Sequence, residues 1–192
     1  MSIPALIRER HEIGRAAVTT LLRLAGRSNG RWRRDQSLDV AWDDRAGLMV
    51  ADVPAGSRVI DVGAGSQVVR GLLPAGCDYV PVDLVSRSPD TVVCDLNRDV
   101  LPGLTADWLV ASGVLEYVFD VDRVVGWMAS AAPRIALSYE TADGQTRYYR
   151  RARSWVNDYT GEQMRALLTG HGLEVVKEAK WKLQTIYWLR RV

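Results

Sequence analysis

The sequence predicts an α/β domain with a seven-stranded, mostly parallel sheet that ends in an antiparallel hairpin. Short apolar runs that do not alternate with polar residues recur along the chain, which is typical of strands buried on both faces. Helix-like segments separate most of these runs, and this order predicts parallel strands with right-handed crossovers. The last two runs are joined by a turn too short for a helical crossover, so that pair must be antiparallel. The predicted strands lie near 58–62, 78–82, 91–94, 107–111, 134–139, 173–179 and 183–189.

Two helices are predicted ahead of the first strand. The segment 5–25 gathers apolar residues on one face, and Gly26 is suited to end it. That face is formed by Leu6, Ile13, Ala17, Leu21 and Leu24. An arginine-rich turn follows at 27–34, and a second helix is expected over about 38–51. Residues 52–56 contain proline and glycine and form the break before the first strand.

The later segments alternate between helix and strand. Helices are predicted near 66–73 and 120–132, and the second begins with acidic residues, as a helix N-terminus prefers. Residues 160–163 have the pattern of a capping box that opens a further helix. Before it, the segment 141–159 is polar and aromatic. Ligand sites in open α/β sheets lie beyond the carboxyl ends of the strands, so we expect this segment to be a substrate-facing insertion.

The composition is that of an ordinary globular protein, with 47% hydrophobic and 25% charged residues. A length of 192 residues allows one α/β domain with a small appendage. The net charge of +2 does not by itself indicate nucleic acid or an anionic membrane. Cys77 and Cys94 lie in or beside apolar runs without metal-ligand spacing, so we expect buried thiols, no metal and a reducing compartment. No apolar stretch has the length of a signal peptide or membrane helix, so we expect a cytoplasmic protein.

The first predicted strand passes directly into a turn that contains two glycines, Gly63 and Gly65. Without a Cβ atom, these residues allow a tight turn and a close approach of the main chain to a ligand. Asp61 lies at the end of the strand, and Asp83 closes the next strand. An acid at the second position is where such a sheet holds the two hydroxyls of a ribose. The sequence therefore predicts a site for an adenosine-containing cofactor.

The residues around the turn discriminate between cofactors. A dinucleotide fingerprint requires a third glycine at position 68, where this chain has Val68. Ser66 and Gln67 do not belong to a phosphate-binding loop, so a nucleoside triphosphate is not favoured either. Asp61 would repel an anionic pyrophosphate but would attract a cationic tail that carries a sulfonium.

Four motifs in this order resemble the class I S-adenosylmethionine-dependent methyltransferases. They are Asp61-x-Gly63-x-Gly65, Asp83, Cys94-Asp95-Leu96 and the run from Leu109 to Val118. The resemblance covers about residues 40–190. It implies a Rossmann-like fold, with residues 1–52 as an N-terminal helical cap and residues 53–192 as the catalytic domain. Gln67 stands where the family often has a small residue.

The resemblance also implies a cofactor site for S-adenosyl-L-methionine. Asp83 would accept hydrogen bonds from the ribose, and Asp95 from the adenine amino group. Asp95 could equally cap a turn before Asn97. The full set of expected cofactor-binding residues is Asp61, Gly63, Ala64, Gly65, Asp83, Leu84, Cys94, Asp95, Leu96, Ala111 and Ser112.

No catalytic base stands out in the sequence. The two histidines lie in a predicted helix and at a helix end, where other roles suit them better. Glu116 and Tyr117 follow the fourth strand, and Tyr139 and Glu140 follow the fifth, at the rim where this family often places substrate contacts. Each of the four could equally be a solvated loop residue.

The sequence does not decide between several classes of methyl acceptor. The favoured hypothesis is a small-molecule or glycan acceptor; the alternatives are a catalytically inactive binding protein with this fold, or an RNA methyltransferase. Clustered arginines at 147–153 and 31–34 could bind an acceptor's phosphate or carboxylate, or could lie on the surface. No RNA-binding module accompanies them, so nucleic acid is not favoured. Several of the seven tryptophans lie in the flanks, where they would cover core edges or line a pocket for a flat or sugar-like substrate. The oligomeric state is not predicted.

Overall fold

The computed structural model describes residues 3–27, 32 and 43–192. In this part of the chain a single sheet of seven strands has the order β3-β2-β1-β4-β5-β7-β6. The strands are β1 (Arg58–Val62), β2 (Asp78–Asp83), β3 (Val92–Val93), β4 (Trp108–Ser112), β5 (Arg134–Tyr139), β6 (Leu173–Trp181) and β7 (Gln184–Arg191). The first five are parallel, whereas β7 runs antiparallel to both β5 and β6. The fold predicted from the sequence is confirmed.

Helices cover both faces of this sheet. They are α1 (Ile3–Leu24), α2 (Asp43–Val50), α3 (Val68–Leu72), α4 (Val121–Ala131), α5 (Arg147–Ala152) and α6 (Gly161–Gly170), with a 3-10 turn at Leu115–Tyr117. Successive strand residues contribute to opposite layers. Leu109 and Ala111 of β4 pack with α4 and α6, whereas Trp108 and Val110 pack with α2 and α3. Burial of each large apolar side chain contributes about 1.5–3 kcal/mol, so both layers stabilise the sheet.

Local signals at the helix ends agree with the predicted elements. Asp120 caps α4 by accepting a hydrogen bond from the Arg123 amide. Thr160 and Gln163 form the predicted capping box at the start of α6, and His171 ends that helix. Of the two cysteines, Cys94 is buried but Cys77 is only half-buried.

The N-terminal helix buries a different face from the predicted one. Ile13, Leu21 and Leu24 are 52%, 67% and 77% exposed, whereas Ala16 and Thr19 are buried. The helix packs against α5, and the Arg23 side chain donates a hydrogen bond to the Val156 carbonyl (2.6 Å). The predicted start of the second helix, 38–42, and the side chain of Leu6 lie outside the described residues. The boundary at residue 52 stays a prediction, although α2 buries Ala46, Met49 and Val50 against the sheet.

The insertion at 141–159 contains a helix that the sequence did not predict, α5, capped by the Thr146 side chain. Arg150 and Arg151 of this helix are buried. The Arg150 guanidinium donates to the carbonyls of Glu140 (2.8 Å) and Asn157 (3.1 Å), and Asp158 pairs with both arginines. The sequence left open whether these arginines contact a substrate or lie on the surface; Arg150 and Arg151 do neither, because their charges hold the insertion together.

Removal of this guanidinium should destabilise the protein. Arg150→Ala removes the donor to two buried carbonyls and one of the two guanidinium partners of Asp158, so the free energy of unfolding should fall by about 3–5 kcal/mol. Urea denaturation measures this change. The matched control is Arg147→Ala, at an exposed position of the same helix. Equal stabilities of the two variants would contradict the assigned role.

Candidate functional site

A cavity of about 510 Å³ lies at the carboxyl ends of the parallel strands. Residues that follow β1, β2, β3, β4 and β5 line it, together with the end of α5 and the turn between β6 and β7. This is where open α/β sheets bind ligands, and the volume suits a small molecule.

The glycine turn after β1 forms one side of the cavity. Gly63 and Gly65 have φ angles of 70° and 53°, which residues other than glycine rarely adopt. A Cβ atom on Gly63 would lie 2.8 Å from Cγ2 of Val114, so only glycine allows the turns after β1 and β4 to pack so closely. Gln67 also has a positive φ of 59°, and its side chain donates to Ser88 (2.6 Å). The unusual residue at 67 is thus held by a hydrogen bond and does not line the cavity.

Asp83 lies at the end of β2 with its carboxylate beside the glycine turn. Its Oδ2 accepts a hydrogen bond from the Gly65 amide (2.7 Å), and its Oδ1 from the Val85 amide (3.2 Å). The Arg87 Nε lies 3.9 Å from Oδ1. Each carboxylate oxygen accepts more than one hydrogen bond, so Asp83 could also bind two hydroxyls of a ligand.

Asp61 lines the same side but is almost completely buried. Burial raises its pKa to about 7; the Tyr79 hydroxyl, which donates to Oδ2 (2.6 Å), opposes this rise, and the nearby Asp83 adds to it. Asp61 therefore gains or loses its charge near neutral pH. A cation in the cavity would favour the charged form.

The segment after β3 contributes both apolar and polar side chains to the cavity. Cys94, Asp95 and Leu96 all line the cavity, as does Leu84 after β2. The Asp95 Oδ1 accepts a hydrogen bond from the Asn97 amide (3.0 Å), so the turn-capping role is present. Because Asp95 also lines the cavity, the two roles that the sequence left open are compatible.

All the expected cofactor-binding residues line the cavity except Ala111, which is fully buried in the apolar layer beneath it. Ser112, the next residue, does line the cavity, because neighbouring strand residues point to opposite faces. Its hydroxyl accepts a hydrogen bond from the Nε of Arg45 (2.9 Å). Arg45 comes from α2 and also donates to Gln184 (2.6 Å). Arg45 was not among the predicted site residues, although a charged residue on an otherwise apolar helix face was a signal for it.

The structure separates the four residues that the sequence placed at the rim. Tyr117 and Glu140 line the cavity, whereas Glu116 and Tyr139 do not. The Tyr139 hydroxyl is buried against Asn157 (2.6 Å). Glu116 is fully buried, and its Oε1 accepts hydrogen bonds from the Glu140 amide (2.9 Å) and the Gln184 side chain (3.2 Å). Neither Glu116 nor Tyr139 reaches the rim where the sequence placed it, because the insertion covers these strand ends.

Aromatic side chains also line the cavity. We define the aromatic wall as Trp32, Tyr117, Tyr149 and Trp155. Trp32 and Tyr117 pack edge to face with 5.0 Å between ring centroids, and the Trp155 indole donates to the Tyr117 hydroxyl (3.0 Å). Tyr149 packs edge to face on Trp155 at 6.2 Å. The cavity is also lined by Glu140, Arg153, Trp181 and Lys182.

A family model described as "Methyltransferase domain" matches residues 11–178. The chain belongs to this methyltransferase family. The match confirms the family expected from the sequence. A search of curated proteins found no match.

Solved structures of methyltransferases share the fold at low sequence identity. CalO1, a methyltransferase in calicheamicin biosynthesis in its SAH-bound form, has 20% identity and a TM-score of 0.62 over 80% of this chain and 54% of its own. Mitomycin 7-O-methyltransferase MmcR has 18% identity and a TM-score of 0.61 over 82% and 56%. An S-adenosylmethionine-dependent methyltransferase from Mesorhizobium loti has 17% identity and a TM-score of 0.61 over 79% and 98%. The chain thus spans about half the length of the first two.

Two searches of the described residues gave no candidates. Over residues 3–27, 32 and 43–192, no group of three or more His, Cys, Asp or Glu side chains could hold a metal ion. Within the same ranges, no helix is both long and apolar enough to cross a membrane.

The packing of the glycine turn gives a stability prediction. Gly63→Ala places a Cβ atom 2.8 Å from Val114 and forces a positive φ on alanine, so the free energy of unfolding should fall by about 2–4 kcal/mol. Thermal and urea unfolding measure the change. Gly71→Ala in α3 is the control, because a Cβ atom there meets nothing within 4 Å. A second substitution, Val114→Ala, should recover part of the loss, and a neutral Gly63→Ala would contradict the close approach.

The buried Glu116 gives a pH prediction. Burial raises its pKa from 4.5 to about 7, although hydrogen bonds and the charges of Arg45 and Arg150 oppose the rise. The folded protein therefore binds this proton more tightly than the unfolded chain, and the associated stability is lost as pH rises from about 4.5 to about 7. Glu116→Gln has no carboxyl group to titrate, so it does not lose this stability. As the pH rises from about 4.5 to about 7, its free energy of unfolding should therefore rise relative to that of the wild type by up to roughly 3 kcal/mol.

Urea denaturation at several pH values measures this difference, and Glu162→Gln at an exposed site of α6 is the control. The comparison uses the slope with pH, so a constant offset caused by the new amide does not affect it. Parallel stability curves for wild type and Glu116→Gln would show that Glu116 does not titrate in this range.

Proposed function

We propose that this protein transfers a methyl group from S-adenosylmethionine to a small-molecule acceptor. The observation that carries the proposal is one cavity that is lined both by the glycine turn with Asp83 and by the aromatic wall. We assign the part around the glycine turn and Asp83 to the donor, as the first half, and the part around the aromatic wall, with Glu140, Arg153 and Lys182, to the acceptor, as the second half. Membership of the methyltransferase family supports the reaction.

The residues of the first half fit the donor. The turn at Gly63 lets the main chain approach a ligand without a Cβ atom between them. Asp83 would accept hydrogen bonds from the ribose hydroxyls, and Cys94 and Leu96 would flank the adenine. Asp95 would accept from the adenine amino group with the oxygen that its turn leaves available.

The charge of this half also fits a cation. S-adenosylmethionine supplies a methyl group on a positively charged sulfur, which leaves as a neutral thioether. Burial raises the pKa of Asp61 to about 7. A bound cation would favour the charged carboxylate, and the charged carboxylate would in turn attract the cation. An anionic pyrophosphate in the same place would be repelled, as the sequence analysis expected.

The chain's own residues would act mainly by position. The rings of the aromatic wall exclude water and hold an acceptor next to the first half of the cavity, and such orientation accounts for much of the rate of a displacement reaction. Glu140 is placed to take a proton from an acceptor hydroxyl, because it lines the cavity whereas Glu116 and Tyr139 do not. The Tyr149 hydroxyl donates to its Oε1 (3.2 Å) and would hold the carboxylate in place. Tyr117 would position the acceptor.

The size of the cavity and the names of two structural neighbours support a small-molecule acceptor. CalO1 acts in calicheamicin biosynthesis, and MmcR is a mitomycin 7-O-methyltransferase. A glycan stays a second form of this hypothesis, since aromatic rings also suit sugars. An RNA acceptor loses support, because Arg150 and Arg151 are used within the protein. Arg31, Arg33 and Arg34 lie outside the described residues.

Binding of the demethylated cofactor tests the proposal. Calorimetric titration with S-adenosylhomocysteine should show binding to the wild type, and Asp83→Asn should weaken it about 10–100-fold, the loss expected for hydrogen bonds to a charged acceptor. Asp78→Asn, at the exposed start of the same strand, is the control and should bind like the wild type. Saturation by NAD instead, or equal affinities of Asp83→Asn and wild type, would overturn the proposed cofactor site.

A further inference from the structure

Three arginines near the end of α5 have different surroundings. Arg150 and Arg151 are buried and donate to main-chain carbonyls and to Asp158. Arg153, by contrast, is half-buried and lines the cavity. The first two arginines have structural partners, whereas the third faces the space where an acceptor would bind.

Most of the hydrogen-bond donors of Arg153 are available to a ligand. Its guanidinium carbon lies 3.5 Å from the centre of the Tyr149 ring and 5.9 Å from that of Trp155. Its hydrogen bond within the described chain joins Nη1 to the Tyr149 carbonyl at 3.4 Å. A guanidinium carries five N–H donors in one plane, a geometry that matches the two oxygens of a carboxylate or phosphate. Ring stacking fixes this plane without using the donors.

A second cation, Lys182, also lines the cavity. Lys182 lies in the turn between β6 and β7, and its Nζ is 4.3 Å from the centre of the Trp181 ring. Neither Lys182 nor Arg153 forms an ion pair with any residue that the structure describes. The acid of this half, Glu140, already accepts hydrogen bonds from Gln145 (2.6 Å) and Tyr149. The balance of charge in the acceptor half is therefore positive.

The aromatic wall offers this region rigid, flat surfaces. Trp155 is buried, and its indole N–H is held by the Tyr117 hydroxyl, so the orientation of the ring is fixed. The Arg150 guanidinium lies 4.9 Å from the centre of the same ring and restricts it further. Rings that are already ordered lose little entropy when a ligand packs on them. Such a surface suits a planar ligand better than a flexible chain.

We propose that the methyl acceptor is a planar small molecule with an anionic oxygen group, either a carboxylate or a phosphate. Its ring packs on the aromatic wall, and its anionic group binds Arg153, with Lys182 as a second contact. This inference rests on the proposed function, because the acceptor occupies the second half of the same cavity. It narrows the acceptor from small molecules in general to one chemical class.

Matched ligands test the charge requirement. We would titrate the protein, saturated with S-adenosylhomocysteine, with 3-hydroxy-2-naphthoate, with the corresponding carboxamide and with naphthyl phosphate. At least one of the two anions should bind about 10-fold or more tightly than the neutral amide, as expected for a charge-assisted bidentate contact. The stronger of the two anions identifies the anionic group.

Variants assign the effect to Arg153. Arg153→Gln should lower the affinity for the preferred anion about 10-fold and remove its advantage over the amide, whereas Arg153→Lys should restore part of it. Lys182→Gln should cause a smaller loss. Arg147→Gln, exposed on α5 and outside the cavity, is the control and should bind like the wild type. Unchanged binding of S-adenosylhomocysteine by Arg153→Gln shows that the variant is folded.

Other outcomes separate this inference from the proposed function. If S-adenosylhomocysteine binds but the amide binds as well as both anions, or no ligand of the panel binds, the acceptor class is wrong and the methyltransferase proposal stands. The same holds if Arg153→Gln leaves anion binding unchanged. If the wild type fails to bind S-adenosylhomocysteine, the proposed function itself fails.

Discussion

The contact between Gly63 and Val114 is the constraint on which the site depends. It brings the turn after β1 against the turn after β4, with no room for a Cβ atom between them. On one side of this contact the Gly65 amide orients the Asp83 carboxylate. On the other side the chain continues from Val114 to Tyr117, which joins Trp32 and Trp155 in the aromatic wall. The close contact at Gly63 therefore holds both halves together in a single cavity.

A buried acid holds the acceptor half in place. Glu116 is fully buried, and burial of a carboxyl group is costly unless its oxygens are hydrogen-bonded; Oε2 has no partner among the described residues, so Oε1 makes the side-chain contacts. Its Oε1 binds the main chain of Glu140 at the end of β5 and the side chain of Gln184 at the start of β7. Gln184 in turn accepts a hydrogen bond from Arg45 of α2. Glu116 therefore acts on the site through the residues it positions, which explains why an acid directly after β4 lies away from the cavity.

The parts of the fold that local sequence determines could be predicted. Buried strands, the glycine turn and the capping box at Thr160 each depend on a few neighbouring residues, and the structure has them where they were expected. The buried face of α1 could not be predicted, because the folded chain buries the small Ala16 and Thr19 and leaves Ile13, Leu21 and Leu24 exposed. Here the tertiary contact outweighs the amphipathic pattern.

The site shows the same limit. The expected cofactor residues follow consecutive strands, so topology alone gathers them. The aromatic wall joins residues far apart in the chain, such as Trp32 and Trp155, and no local pattern connects them. From the sequence, the arginine cluster could either lie on the surface or bind a substrate. The structure shows a third arrangement for Arg150 and Arg151, whose buried charges are paired with a neighbouring acid and main-chain carbonyls.

The distribution of charge across the cavity has a consequence for specificity. In the proposed assignment the donor half is lined by Asp61, Asp83 and Asp95, with Arg87 beside Asp83, and the acceptor half by Arg153 and Lys182. A cationic donor is attracted to the first and repelled by the second, and an anionic acceptor experiences the reverse. Specificity is a difference of affinities, and repulsion from the wrong place contributes as much as attraction to the right one. Under the proposed reaction the same arrangement would favour release, because the donor would lose its positive sulfur charge when the methyl group leaves, and its attraction to Asp61 would weaken.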